Sequence, residues 1–269
     1  MMPITLPLTI DVLDYIFSFL ESDLKALKAC CRSHPLLCQI AEPHIYANIY
    51  LKTSNYISDR NFGPSNLVKL LSNRPHIANY IRNLDIQVSC DSDKDVVPLL
   101  HEISTVLPKL LALKKITLDH GSTHWHRSFF CWESQPESFR MAFLGCLLSQ
   151  YVQHICLRGI FYFPFISVWN GTSPTIKSNC VAWHEPLHRA PTSYNSNPPI
   201  KSLTVQCCGG DFLEKISGLV KTYRMHFRSL EYSHDSYDSL PGLLSCSSNF
   251  LTSLDLDIGE KCMSIFYYP

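Results

Sequence analysis

The chain is sparing with charge and nearly bare of catalytic motifs. Lys and Arg number 23, Asp and Glu number 23, and the formal net charge over 269 residues is +0. A chain without a net field has no long-range means of drawing in nucleic acid or an anionic membrane, so neither is expected as a partner. There is no Gly-x-Ser-x-Gly elbow and no phosphate loop, which removes the hydrolase and nucleotidase readings that depend on them. The 12 cysteines include no Cys-x-x-Cys, so the usual paired zinc ligands and the dithiol redox motif are missing. A long clean apolar run is lacking too. The most apolar late window, 143–169, carries Gln150, Gln153, His154 and Arg158, and such side chains argue against a membrane span. The start lacks a basic region followed by an apolar run, so no secretory signal is expected. The expected compartment is then reducing, cytoplasmic or nuclear, with the cysteines as thiols.

What is present is apolar content. Hydrophobic residues make up 46% and charged residues 17%, the balance of a folded chain rather than a disordered one. The length admits one sizeable core or two domains.

The first fifty residues are the most informative. Thr9 is placed to cap a helix, and Asp11 and Asp14 lie near its positive end. Leu13, Ile16, Phe17 and Leu20 recur at i, i+3, i+4 and i+7 as one apolar stripe. Val12 and Phe19 fall off that stripe, leaving the helix apolar over more than half its circumference. Glu21-Ser22-Asp23 breaks the run, and Ser22 or Asp23 is suited to cap a second helix with Leu24, Leu27 and Cys31 as its stripe. Pro35 is expected to end or interrupt that helix. Leu36, Leu37, Ile40 and Ala41 supply a third stripe before Pro43. So small a unit is marginal as a free-standing core, which fits docking onto another protein.

The order of these residues resembles the F-box, the module that attaches substrate receptors to the Skp adaptor of cullin-RING ubiquitin ligases. Ile16-Phe17-Ser18-Phe19-Leu20 matches the end of the family's first helix. Asp23-Leu24-Lys25-Ala26-Leu27 matches the start of the second, and Cys31-Arg32-Ser33-His34 the turn after it. Glu42-Pro43-His44-Ile45-Tyr46 is similar to the close of the box in fungal members. Leu6-Pro7 stands two residues earlier than the family's Leu-Pro, leaving Thr9 where that Pro would fall, and Pro35 follows His34. The resemblance implies adaptor contact through Leu6, Pro7, Val12, Leu13, Ile16, Phe17, Leu20, Leu24 and Leu27. Some of these must instead form the unit's own core.

Beyond a polar, turn-rich stretch at 53–64, helical segments alternate with short strands. Helices are expected within 67–71, 97–113, 139–151, 213–223 and 240–244. Strand cores are expected at Leu84/Ile86, Ile116/Leu118, Ile155/Leu157, Leu203/Val205, Leu230/Tyr232 and Leu254/Leu256. Their spacings, about 24 to 48 residues, suit stacked repeats that bury one another's apolar faces. A generic α/β domain would alternate in the same way. The pattern is similar to an irregular leucine-rich-repeat domain, the usual companion of the F-box in the fungal proteins this chain resembles. The expected fold is therefore α/β: a three-helix box over 1–50, a linker over 51–64, and a repeat-like solenoid over 65–269. Within it, the Ser-, Asn- and Pro-rich stretch 170–199, flanked by Trp169 and containing Trp183, reads as a long insertion.

Few residues are placed for chemistry. His120, His124, His126 and Cys131 have the donor types of a zinc site, but Trp125, Phe129, Phe130 and Trp132 among them favour a packed aromatic loop or a partner surface. Cys207-Cys208-Gly209-Gly210-Asp211 reads as a turn out of a strand. Asp255 and Asp257 read as solvated strand positions. No catalytic residue and no cofactor are expected. The resemblance implies a substrate receptor of a Skp-cullin-F-box ligase, with the Skp adaptor, through it the cullin, and a protein substrate as partners. A repeat scaffold that has lost adaptor binding is the alternative, favoured by Thr9 and Pro35.

Overall fold

The computed structural model describes residues 8–52, 61–88, 93–120, 130–149, 151–164, 175–179, 200–206, 227–233, 240–247 and 251–257. The calls on Leu6, Pro7, His124, His126, Trp169, Trp183, 207–211 and the 213–223 helix fall outside them.

Three helices come first: α1 (Ile10–Phe19), α2 (Leu24–Ser33) and α3 (Pro35–Tyr46). Thr9 occupies the N-cap position of α1, but its side chain makes no capping bond. Only its carbonyl is used, accepting from the Leu13 amide at 3.1 Å. Asp23 is the better cap. One carboxylate oxygen accepts from the amides of Lys25 at 3.1 Å and Ala26 at 3.0 Å, satisfying two donors that the first turn of α2 leaves unpaired. Pro35 starts α3 rather than interrupting its neighbour. As the first helical residue it gives up an amide that would have no partner there, while His34 Nδ1 accepts from the Leu36 amide at 3.1 Å. The helix then runs through Pro43 to Tyr46.

A nine-stranded sheet follows. Its strands are β1 (Asn48–Lys52), β2 (Asn61–Phe62), β3 (Asn83–Val88), β4 (Lys115–His120), β6 (His154–Arg158), β8 (Thr175–Asn179), β9 (Ile200–Gln206), β10 (Phe227–Ser233) and β11 (Ser253–Asp257). The order across the sheet is β11-β10-β9-β8-β6-β4-β3-β1-β2, and all of these pairings are parallel. Apart from β2, which pairs outside β1, the strands line up in chain order. Parallel neighbours need crossovers, and the described helices α4 (Pro64–Asn73), α5 (Asp93–Val106), α6 (Glu137–Leu147) and α7 (Leu240–Ser247) lie in them. Strands β5 (Phe130–Cys131) and β7 (Ile160–Phe161) form a separate parallel pair.

The expected strand cores fall into one register. Ile49, Leu84, Ile116, Ile155, Ile176, Leu203, Leu230 and Leu254 are successive partners across the sheet. Two of these strands were not expected. β1 follows α3 with one residue between, so the sheet begins where the helical unit ends. β8 lies inside the stretch read as a loop over 170–199; its slot between β6 and β9 supplies the backbone pairing that its polar sequence does not advertise.

The starts of β3, β4 and β6 repeat at the atomic level. The Ala47 carbonyl accepts from the amides of Arg82 and Asn83, that of Arg82 from Lys114 and Lys115, and that of Lys114 from Gln153 and His154, all between 2.7 and 3.0 Å. Before β3 and β4 stand the 3-10 turns Pro75–Asn79 and Leu107–Lys109. Ile81, Leu113 and Val152 are buried just ahead of β3, β4 and β6.

The described residues hold two apolar cores. Leu13, Phe17, Leu27, Ile40 and Ala41 form that of the helices. The larger one joins the inward residues of β1, β3, β4 and β6 to Leu67, Leu71, Leu100, Ile103, Phe139 and Phe143 of α4, α5 and α6. Trp132 packs into it against the rings of Phe143 and Phe163, at centroid distances of 5.6 and 4.8 Å. The helices thus cover one face of the sheet. On β3 the opposite face, Asn83, Asp85 and Gln87, stays half-buried.

Candidate docking surfaces

The adaptor-contact candidates separate by the side of the helix they occupy. Leu13 and Phe17 of α1 and Leu27 of α2 are buried in the small core; each such side chain contributes roughly 1.5–3 kcal/mol by leaving water. Leu20 and Leu24 are partly buried against it. Val12 and Ile16 face solvent. Ile16 therefore leaves the inner stripe in which its spacing had put it. With it on the outside are Leu8, Ile10, Tyr15 and Phe19, the last two 66% exposed and in edge contact at 4.8 Å between ring centroids. Val12, Tyr15, Ile16 and Phe19 recur at i, i+3, i+4 and i+7: a second apolar stripe, on the side away from the core. The signal for Tyr15 and Phe19 was present in a helix apolar around most of its circumference. Spacing alone does not choose between two stripes.

Polar contacts hold this surface in place. The ring of His44 on α3 sits between two carboxylates, Nε2 at 2.9 Å from Asp14 and Nδ1 at 3.1 Å from Glu21. Glu42, buried on the same helix, reaches the other way. One oxygen pairs with Arg74 at the end of α4 and the other lies 3.1 Å from His76 Nε2. Glu42 thereby ties the helical unit to the sheet domain. The Cys31 thiol, pointed at the Cys38 carbonyl from 3.9 Å, is pushed up to about 11, first by burial and then by the neighbouring Cys38 side chain.

The open face of the sheet carries a hollow of about 560 Å³ across β1, β3, β4 and β6. Tyr50, Asp85, Thr117 and Cys156 share one register row. Asp119 and Arg158 pair at 3.4 Å along one side, and Lys115 and His154 line the other. One carboxylate oxygen of Asp85 is shut off from water with no hydrogen-bond partner. Burial raises the Cys156 thiol, with Arg158 and Lys115 pulling the opposite way.

Of the zinc candidates, His120 and Cys131 lie among the described residues. His120 is buried at the end of β4, its Nδ1 3.3 Å from the Val88 carbonyl. Cys131 is half-buried on β5. Among the described residues no group of three or more His, Cys, Asp or Glu is placed to hold a metal. Asp255 is exposed on β11, as read. Among the described residues no helix is long and apolar enough to cross a membrane.

Comparison with protein-family models, with curated proteins and with solved structures found no match.

Proposed function

We propose that this chain is an F-box substrate receptor. Its N-terminal helices dock on the Skp adaptor of a Skp-cullin-F-box ubiquitin ligase, and a leucine-rich-repeat-like solenoid holds the protein to be modified. The observation that carries the reading is the outward stripe of α1. A short helix in a marginal unit exposes Val12, Tyr15, Ile16 and Phe19 while burying Leu13 and Phe17. Clustered exposed apolar side chains of this kind mark interaction sites, and aromatic anchors dominate the energetics of such sites. The repeated strand starts, each joined to the one before by the same pair of amide bonds, support the solenoid reading. The mechanism is positional: the receptor raises the effective concentration of substrate lysines beside the charged conjugating enzyme, and no residue of this chain forms a covalent bond.

The test separates docking from folding. Ile16→Asp with Phe19→Asp changes only outward positions, so the helical unit keeps its circular dichroism and melting transition. Binding to the purified Skp adaptor falls by about a hundredfold or more, as for loss of two anchors worth at least 1–2 kcal/mol each. A folded double variant that binds the adaptor at wild-type strength refutes the assignment.

A further inference from the structure

We infer that the edge of the sheet at which β3, β4 and β6 begin is a second interaction surface, and that it takes a segment of a partner protein in which an apolar residue stands among carboxylates. The surface belongs to the sheet domain and is independent of what the helices bind.

The argument begins with charge. The Arg82 carbonyl accepts from the Lys114 and Lys115 amides, and the Lys114 carbonyl from those of Gln153 and His154. These bonds set Arg82, Lys114 and Gln153 in one row, a strand spacing of about 4.8 Å apart. Arg82 and Lys114 are exposed, and so is Lys109 in the 3-10 turn before β4. No Asp or Glu occurs in 75–84, 103–118 or 138–157, the stretches that lead into these strand starts. Among the described residues no carboxylate pairs with Arg82, Lys109 or Lys114. Glu42, which reaches towards β3, is taken up by Arg74 and His76. The edge therefore keeps a positive local field in a chain of zero net charge, and such a field draws in a partner of opposite sign.

Apolar side chains share the edge. Leu111 is 66% exposed, Tyr151 51% and Leu148 44%. Their turns are pinned. The Leu113 amide donates to the Leu110 carbonyl, that of Ser149 to Cys146, and that of Val152 to Ser149. Leu110, Leu113, Leu147 and Val152 are buried, which turns Leu111, Leu148 and Tyr151 outward. Anchors fixed in this way lose little freedom on binding. The turn Leu107–Lys109 packs against α6, so the turns before β4 and β6 form one patch.

The combination chooses the occupant. Cations beside aliphatic anchors suit carboxylates flanking an apolar side chain. A single-stranded nucleic acid is held by several aromatic platforms, and the patch has one ring. An anionic bilayer is held by a larger basic cluster than this.

The test immobilises the 269-residue chain and offers it pools of short capped peptides. The pools are random except at a fixed centre: Leu between two Glu, Leu between two Gln, Ala between two Glu, or Leu between two Lys. In about 0.05 M salt the first pool is retained about tenfold more than the second or third, as for two or three exposed ion pairs and one buried side chain. In about 0.5 M salt its advantage over the second shrinks. Arg82→Glu with Lys114→Glu makes the pool with two Lys the best retained. Arg82→Gln with Lys114→Gln, which adds no acid, abolishes the preference for Glu without reversing it. Leu111→Ser with Tyr151→Ser abolishes the preference for Leu over Ala and spares that for Glu over Gln. All four positions are exposed, so the variants keep the parent's melting temperature. Lys25→Glu with Lys28→Glu, exposed on α2, leaves every preference unchanged. Equal retention of the pools, or an unchanged order in both Arg82/Lys114 variants, overturns the inference. Retention of single-stranded DNA or phosphatidylserine vesicles through Arg82 and Lys114, with no discrimination among the peptides, overturns it as well and assigns the edge to a polyanion.

Discussion

Glu42 is the sharpest place to ask how the N-terminal helices are held on the sheet domain. Its side chain is 10% exposed, while those of its partners Arg74 and His76 are 43% and 50% exposed. Replacing it with Gln preserves volume and removes the charge. A hydrogen bond to a charged group contributes about 1.5–3 kcal/mol, and the outer partners' access to solvent screens part of that. We expect Glu42→Gln to lower the unfolding free energy by roughly 1–3 kcal/mol, because a buried acceptor loses charge against two donors. Arg74→Met should cost somewhat less, since Arg74 is half in water. The double variant should lose less than the sum, with a coupling energy near 1 kcal/mol, as for residues in one network. Urea unfolding with a common slope measures all three. Amide exchange in α3 should quicken in Glu42→Gln ahead of exchange in β3 and β4. Single variants within about 0.5 kcal/mol of the parent, together with a coupling indistinguishable from zero, would refute the clamp.

Two further outcomes follow from local chemistry. Gly159 has φ +64°, and a Cβ there would stand 3.1 Å from Cβ of buried His120; Gly159→Ala should lower stability by about 1–2 kcal/mol, read from the urea midpoint. Burial pushes the Cys146 thiol up to about 12, and Cys31 reaches about 11, against an ordinary 9.0. The folded state holds these protons more tightly than the unfolded one, so their contribution is complete below pH 9 and is lost as pH rises from there towards 11 and 12. The limiting slope is about 1.4 kcal/mol per pH unit for Cys146 and smaller for the more exposed Cys31, whose shift solvent screens. Urea midpoints across that alkaline range should fall, and Cys146→Ala should flatten the fall; an unchanged slope in that variant would contradict the assignment.

The sheet was the most legible part of the chain. Leu84/Ile86, Ile116/Leu118 and Ile155/Leu157 alternate with polar or half-buried neighbours, and strand geometry turns that alternation directly into an inward row. β1 was missed because Asn48–Lys52 follows α3 with no turn residue to announce a new element. β8 was missed because Thr175–Asn179 holds a single aliphatic residue, Ile176, and its pairing comes from strands far away in sequence. In α1 the helical period was plain, yet Ile16 belongs to the outward stripe. Only the positions of Leu27, Ile40 and Ala41 from the other helices decide which stripe is covered. The hollow was not legible at all. Tyr50, Asp85, Thr117 and Cys156 meet through register, and nothing local to any one of them signals the others. Pro35 was expected to end or interrupt α2, and α2 does stop at Ser33; that the same proline opens α3 was not legible until the break at His34 was placed.

The receptor reading stands or falls on co-expression with the Skp adaptor followed by size-exclusion chromatography. A one-to-one complex that survives the column is expected, with the outward stripe of α1 protected from exchange in the complex and unprotected in the free chain. A monodisperse chain that elutes apart from the adaptor, with α1 exchanging equally in both samples, would contradict it and leave a repeat scaffold with no ligase attached.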